Sequence, residues 1–391
     1  MKKFCSFATF IIYSMLAIVS SAFAQKPPEQ AYFVYVLSES ADKISLIRFD
    51  VNGAKIEREL TTGSMEPDID GPHGIAISPD KQQYFVSLGH GRPFGTVWKY
   101  STKDDKVIGK ITLGFFPATM DVSPNGNFLY VVNFNLHGDM IPSSVSVVLT
   151  NEMLEIKRIE TCTMPHGSRF NPQGTRHYSA CMMDDMLVEI DTETLQVSHY
   201  YLLTKGKEAG GTGAPPRRKI DHAAHSSHRD SAGHGLEPPQ PGDVSCSPTW
   251  AQPSSDGSMI YVACNKSSEI VEVEAKTWKI TRRIPAGPGV YNLAVTKNGR
   301  LIATNKRGPS VSVFDLKSGK ELARIPTRRK VVHGAVVSPD NRYAFISVEG
   351  IGSEPGTVEV IDLEALKTVA TVDVGQQAAG IDFLRVEPGK K

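Results

Sequence analysis

The sequence predicts an all-β fold: a seven-bladed β-propeller with four-stranded antiparallel blades, one of them closed between the N- and C-terminal segments. Two observations predict it. A unit of four short β-rich runs recurs at roughly forty-residue spacing. The first unit also lacks an opening strand, while the last segment is an opening strand with no unit behind it. The runs are bounded by Pro, Asn, Asp and Gly, the strand-and-turn grammar of antiparallel blades, and helical periodicity is nearly absent.

In chain order, the incomplete first unit reads YFVYVLSES from Tyr32, KISLIRFD from Lys43 and KIERELTTG from Lys55. The first complete copy is HGIAISPDKQQYFVSL from His73, with GTVWKY from Gly95 and KVIGKITLG from Lys106. The second is PATMDVSPNGNFLYVVN from Pro117 with SSVSVV from Ser143, and the third is PHGSRFNPQGTRHYSAC from Pro165 with MLVEIDTETLQV from Met186. The fourth is TWAQPSSDGSMIYVACN from Thr249 with EIVEVEAKTWKITRRIPAG from Glu269. YNLAVTKNGRLIATN from Tyr291 with SVSVFDLKSGKELARI from Ser310 makes the fifth, and HGAVVSPDNRYAFISVE from His333 with TVEVIDLEALKTVATVDVG from Thr357 the sixth. The orphan strand AAGIDFL from Ala378 completes the first unit, and such closure removes the exposed edges of an open sheet.

The 391 residues are 40% hydrophobic and 22% charged, values of a globular protein able to bury a sizeable core. A net charge of +1 argues against nucleic-acid binding, which rests on neutralising phosphates. Residues 1–24 have the form of a secretory signal: Lys2 and Lys3, an apolar run from Phe7 to Val19, and Ala22-Phe23-Ala24 before Gln25. Cleavage leaves a mature chain at 25–391, read as a single domain with a charge of about −1 and no transmembrane span. A periplasmic or secreted location follows, as does a monomer.

The SPDG-like turn, the YVV, YVAC or FISV strand after it, and the V-x-V-x-D strand make the chain resemble the YVTN-repeat propellers over essentially everything after Gln25. The resemblance implies the fold. It extends to the propellers of lactonases, of haem d1 nitrite reductase, of copper-bearing nitrous-oxide reductase and of amine-dehydrogenase heavy chains, and a scaffold shared by so many chemistries assigns none of them.

Four cysteines follow the leader at equivalent blade positions. Antiparallel pairing brings the start of strand one beside the end of strand two, so Cys162–Cys181 and Cys246–Cys264 are expected as disulfides, each within its blade, in an oxidising compartment. Thiolate metal ligation is the rival reading.

Strand-one starts, strand two-to-three loops and inter-blade connections crowd one face. Aligned units put His73, Ala118, His166, Thr249, Tyr291, His333 and Ala379 at the inner mouth of strand one. His73, His166 and His333 are therefore candidate ligands for a transition metal such as copper, or for a haem-like cofactor. Equally, they are turn residues whose rings bond to nearby backbone. A Gly-, Pro- and His-rich insertion at 205–244 follows a fourth strand on the same face, and its His222, His225 and His228, with His234 beyond, are further metal candidates or parts of a solvated loop. His90, His137, Met182 and Met183 fall on loops of that face, as do Lys306, Arg307, Arg328 and Arg329.

No Gly-x-Ser-x-Gly elbow, His-Glu-x-x-His site, phosphate loop, dinucleotide fingerprint or Cys-x-x-Cys-His motif occurs in usable context. GTGAPPRR from Gly211 reads as linker, and Asp184 with Asp185 as solvated loop carboxylates. The expectation is a non-catalytic scaffold that binds a small ligand, a metal or a periplasmic protein through its loop-rich face. A metal- or haem-dependent redox protein and a lactonase-like hydrolase are the alternatives.

Overall fold

A computed structural model describes residues 27–63, 69–90, 95–216 and 245–389. The expected leader, and His222, His225, His228 and His234, lie outside these residues. The chain forms seven antiparallel sheets arranged as blades around a central channel. The first three strands are β1 (Gln30–Ser38), β2 (Lys43–Asp50) and β3 (Gly53–Thr61). Blade one follows as β4 (Pro72–Ile77), β5 (Gln83–Leu88), β6 (Thr96–Ser101) and β7 (Val107–Thr112). Blade two is β8 (Pro117–Val122), β9 (Phe128–Asn133), β10 (Pro142–Leu149) and β11 (Leu154–Thr163).

Blade three has five strands: β12 (Pro165–Phe170), β13 (Arg176–Cys181), β14 (Met186–Asp191), β15 (Gln196–Leu202) and β16 (Ala209–Thr212). Blade four is β17 (Pro248–Pro253), β18 (Met259–Cys264), β19 (Glu269–Glu274) and β20 (Lys279–Pro285); blade five is β21 (Val290–Val295), β22 (Arg300–Asn305), β23 (Ser310–Asp315) and β24 (Lys320–Pro326). Blade six is β25 (Val331–Val337), β26 (Tyr343–Glu349), β27 (Gly356–Asp362) and β28 (Lys367–Val374). β29 (Ala378–Pro388) then pairs antiparallel with β1, Val34 opposite Phe383 and Val36 opposite Ile381, and completes blade seven as the unequal chain ends require.

The repeated turn has a local cause. Ser78 Oγ bonds Asp80 Oδ1, which accepts the Gln82 N–H, while the Gln83 N–H donates to Ser78 Oγ. These side chains supply the partners that a tight turn leaves open, and the arrangement recurs at Ser123/Asn125 and Ser254/Asp256. The core lies between blades. Tyr35, Tyr84 and Tyr100 stack between blades seven and one, and Tyr32, Phe345 and Phe383 pack between six and seven.

Three expectations are corrected here. The insertion after β15 begins with β16, which adds a fifth strand and runs away from the mouth, Leu202 pairing Ala209 and His199 pairing Thr212; Gly211 and Thr212 of the supposed linker belong to it. Both cysteine pairs are disulfides, but Cys162 belongs to β11, so the first joins blade two's outer strand to blade three rather than lying within one blade. Asp184 and Asp185 are not solvated. Asp185 is 1% exposed and takes hydrogen bonds from Thr204 Oγ1, Ser245 Oγ and the backbone of Cys246 and Ser247, while Asp184 takes the Thr163 N–H. Their carboxylates are the acceptors that hold the chain entering blades three and four.

Candidate functional site

Neighbouring inner strands approach so closely at the mouth that only glycine fits beside some of the histidines. A Cβ on Gly74 would meet the Ala118 carbonyl oxygen at 1.9 Å, and one on Gly167 would meet the Thr249 carbonyl oxygen at 2.4 Å. This is the physical content of the repeated His-Gly pair. With Ala118, Thr249 and Ala379 as small or short residues between them, four rings close the channel in a square. Centroids lie 6.4 Å apart for His73 and His166, 5.3 Å for His166 and Tyr291, 5.1 Å for Tyr291 and His333, and 5.5 Å for His333 and His73. All four side chains are buried.

Each ring is held differently. His166 donates from Nδ1 to the Thr249 carbonyl at 2.8 Å, and its Nε2 accepts the Tyr291 hydroxyl at 2.9 Å, so both nitrogens are satisfied. Burial pushes its imidazole down to about 3, and burial together with the Lys306 charge holds His333 well below the usual histidine range; both rings are neutral. His73 Nδ1 lies 2.9 Å from Glu39 Oε2, and His90 Nε2 lies 3.1 Å from Glu39 Oε1. Burial pushes the Glu39 carboxyl up, but the two histidines outweigh it and bring the group down to about 2. The hydrogen bond to Glu39 in turn raises His90. A carboxylate acceptor places the hydrogen on His73 Nδ1, and His73 Nε2 is buried with no partner.

The other half of the mouth carries an ion pair. Lys306 Nζ lies 4.3 Å from the Tyr291 ring centroid and 3.3 Å from Glu349 Oε1. Burial lowers the lysine, yet Tyr291 and Glu349 outweigh it and raise it, whereas burial raises Glu349 despite Lys306. Beside the ring, Phe116, Phe134, Met164 and Met182 form an apolar shelf that His90 and His137 flank edge-on to Phe116. Phe115, Leu136, Met140, Ile141 and Met183 continue it onto the exposed rim.

The structure thus brings His73, His166 and His333 together and adds His90, His137, Met182 and Lys306 around them. Arg307 reaches the backbone of Asn265 and Lys266, and Arg328 and Arg329 pair with Asp373. Among the described residues, no group of three or more His, Cys, Asp and Glu is spaced to hold a metal ion. Sequence reading missed Glu39, Glu349 and the phenylalanine shelf. The signal was present: the position at, or one or two residues after, the end of each second strand, read down the repeats, gives Glu39, His90, Phe134, Met182, Asn265, Lys306 and Glu349.

By fold and mouth the molecule is a seven-bladed propeller whose channel is plugged by aromatic and imidazole rings. Similar solved structures are the periplasmic gluconolactonase PpgL of Pseudomonas aeruginosa (TM-score 0.66, 16% identity, covering 91% of this chain and 99% of that one) and the hydrazine synthase of Kuenenia stuttgartiensis (0.58, 20%, 81% and 92%). Another is the dihydro-haem d1 dehydrogenase NirN in complex with DHE (0.56, 14%, 90% and 75%). They share the fold, in agreement with the resemblance to YVTN-repeat propellers. No protein-family model and no curated protein matches the sequence.

Proposed function

We propose that the chain is an exported propeller that binds a small ligand over the plugged mouth, between the Lys306–Glu349 pair and the phenylalanine shelf, without turning it over. The observation that carries this reading is buried Glu39, which bridges His73 and His90 from a neighbouring blade. A charge taken out of water is costly unless it is paired and hydrogen-bonded, and a buried charge cluster at a channel mouth is a candidate functional site. A few polar groups set beside an apolar wall are the general composition of a small-molecule site. The leader-like N-terminus and the two disulfides support a periplasmic or secreted location.

The test is a thermal-shift and calorimetric screen of small carboxylates, amines and planar aromatics on the mature protein. At least one class is expected to raise the melting temperature, and Lys306→Met and Phe116→Ala are expected to weaken it at least ~10-fold, the loss of roughly 1.4 kcal/mol of contact. If no class binds, or both variants bind like the parent, the mouth is not the site. A second reading, a hydrolase in which the Glu39–His73 pair acts as general base, draws on that hydrogen bond and on the likeness to a gluconolactonase. It predicts lactone turnover that His73→Gln abolishes, while pure binding predicts none.

A further inference from the structure

Directly beneath the plug lies a cavity of about 30 Å³, lined by His73, Thr119, Arg169, Trp250, Asn292 and His333 among others. Its volume suits one or two water-sized guests. Three of its lining side chains carry buried polar atoms without a hydrogen-bond partner, His73 Nε2, Asn292 Oδ1 and His333 Nδ1, and the residues are 9%, 5% and 7% exposed. Leaving such atoms dry is unfavourable, because each gives up its water hydrogen bonds for nothing. In the neutral ring, with its hydrogen on Nδ1 toward Glu39, His73 Nε2 is an acceptor, as is the amide oxygen of Asn292, so the two cannot satisfy one another. The guest that satisfies both brings hydrogens or positive charge.

Three further features favour positive charge. A ligating histidine characteristically donates its other ring hydrogen to a carboxylate, and Glu39 occupies that place on His73. The His333 ring centroid lies 5.5 Å from that of His73, and two imidazoles sharing one ion at ~2 Å have centroids ~5–5.5 Å apart. The Asn292 backbone is fixed by its N–H to Thr304 Oγ1, whose hydroxyl donates to the His333 carbonyl, so the strands bearing both donors are tied together. Arg169, the cation lining the same cavity, is engaged by the Trp250 ring at 4.5 Å and by the Ser168 carbonyl.

We propose that this cavity binds one borderline divalent transition metal, of the zinc, nickel or copper(II) class, through His73 Nε2 and Asn292 Oδ1, with His333 as second imidazole and water completing the shell. Mixed imidazole and amide-oxygen donors suit such ions. His166 stands outside the set because Thr249 and Tyr291 occupy both of its nitrogens. The site lies beneath the plug and shares His73 and Glu39 with the mouth above it.

The experiment titrates cobalt(II), followed by its visible spectrum and by zinc competition, into mature protein in which His222, His225, His228 and His234 are replaced by Ser. About one equivalent is expected to bind. Affinity is expected to fall at least ~100-fold in His73→Gln, ~10–100-fold in Asn292→Leu and in Glu39→Gln, and to stay within about threefold in His166→Gln. Asn292→Leu removes an unpartnered acceptor at similar volume, and native near-ultraviolet circular dichroism certifies each variant's fold. No stoichiometric cobalt, or affinity untouched by Asn292→Leu in the folded variant, overturns the proposal. A loss in His166→Gln as deep as in His73→Gln places the ion among the three histidines instead and overturns it equally. Ligand binding at the mouth is read separately, by the screen with Lys306→Met and Phe116→Ala, so failure of either proposal leaves the other standing.

Discussion

His177 lies wholly buried on β13 between the rings of Tyr130 and Phe170, at 4.8 and 5.0 Å, with no partner for either ring nitrogen. Burial, reinforced by the Arg169 charge, pushes its imidazole down to about 3. A group depressed in the native state leaves stability intact above its unfolded value of ~6.5. It removes stability as pH falls from there toward 3, because the unfolded chain binds a proton the native chain refuses. At ~1.4 kcal/mol per pH unit, acidifying from about pH 7 to about pH 5 costs ~2 kcal/mol through this residue alone. His177→Leu keeps a similar volume and does not titrate. Urea melts at the two pH values should show the parent losing ~2 kcal/mol more than the variant; equal losses would mean that His177 is protonated or hydrated in the native state.

At the scale of the element, the two disulfides stand where strand one of a blade begins and strand two ends. They close loops with sequence separations of 19 and 18. Loops of that length are worth ~3 kcal/mol each when the cross-link restricts the unfolded chain. Replacing Cys246 and Cys264 together by Ser should lower stability by that order, read as the unfolding free energy extrapolated from guanidinium melts, with a steeper slope because the freed unfolded chain exposes more surface, and an unchanged free energy would sink the idea. The blades themselves were legible because each Ser-Pro-Asp-like turn satisfies its own backbone and so repeats in sequence as it repeats in space. The level of His73, His166, Tyr291 and His333 was legible for the same reason, since repeats in register put equivalent residues at equivalent heights in the channel. Glu39 was not legible as a partner of His73: it sits on a single 3₁₀ turn (Glu39–Ala41) of the incomplete first unit and crosses to the next blade. The buried state of Asp185 escaped as well, because its partners Ser245, Cys246 and Ser247 lie some sixty residues further along the chain, across the insertion. β16 escaped because Ala-Gly-Gly-Thr carries no strand pattern of its own and pairs only because the edge of β15 is open to it.

At the scale of the whole molecule, a ring of blades is only as closed as its last seam, and here the seam is β29 against β1. β29 places Ala379 in the channel wall, Phe383 in the core between blades six and seven, and Leu384 in the core between seven and one. Asp382 Oδ2 also accepts the Ile77 N–H of blade one at 2.8 Å, so the same strand ties the seventh blade to the first. A chain ending at Gln377 leaves Tyr32–Val36 with an unpaired edge beside an uncovered apolar face, the combination that invites aggregation. Such a chain should lose its sharp thermal transition and most of its soluble yield. Supplying residues 378–389 as a separate peptide should restore both in proportion to peptide concentration, because an extended peptide can add itself as a strand to an exposed edge. If the truncated chain instead melts at the parent's temperature without peptide, the blade interfaces alone hold the ring and the terminal seam contributes little to its stability.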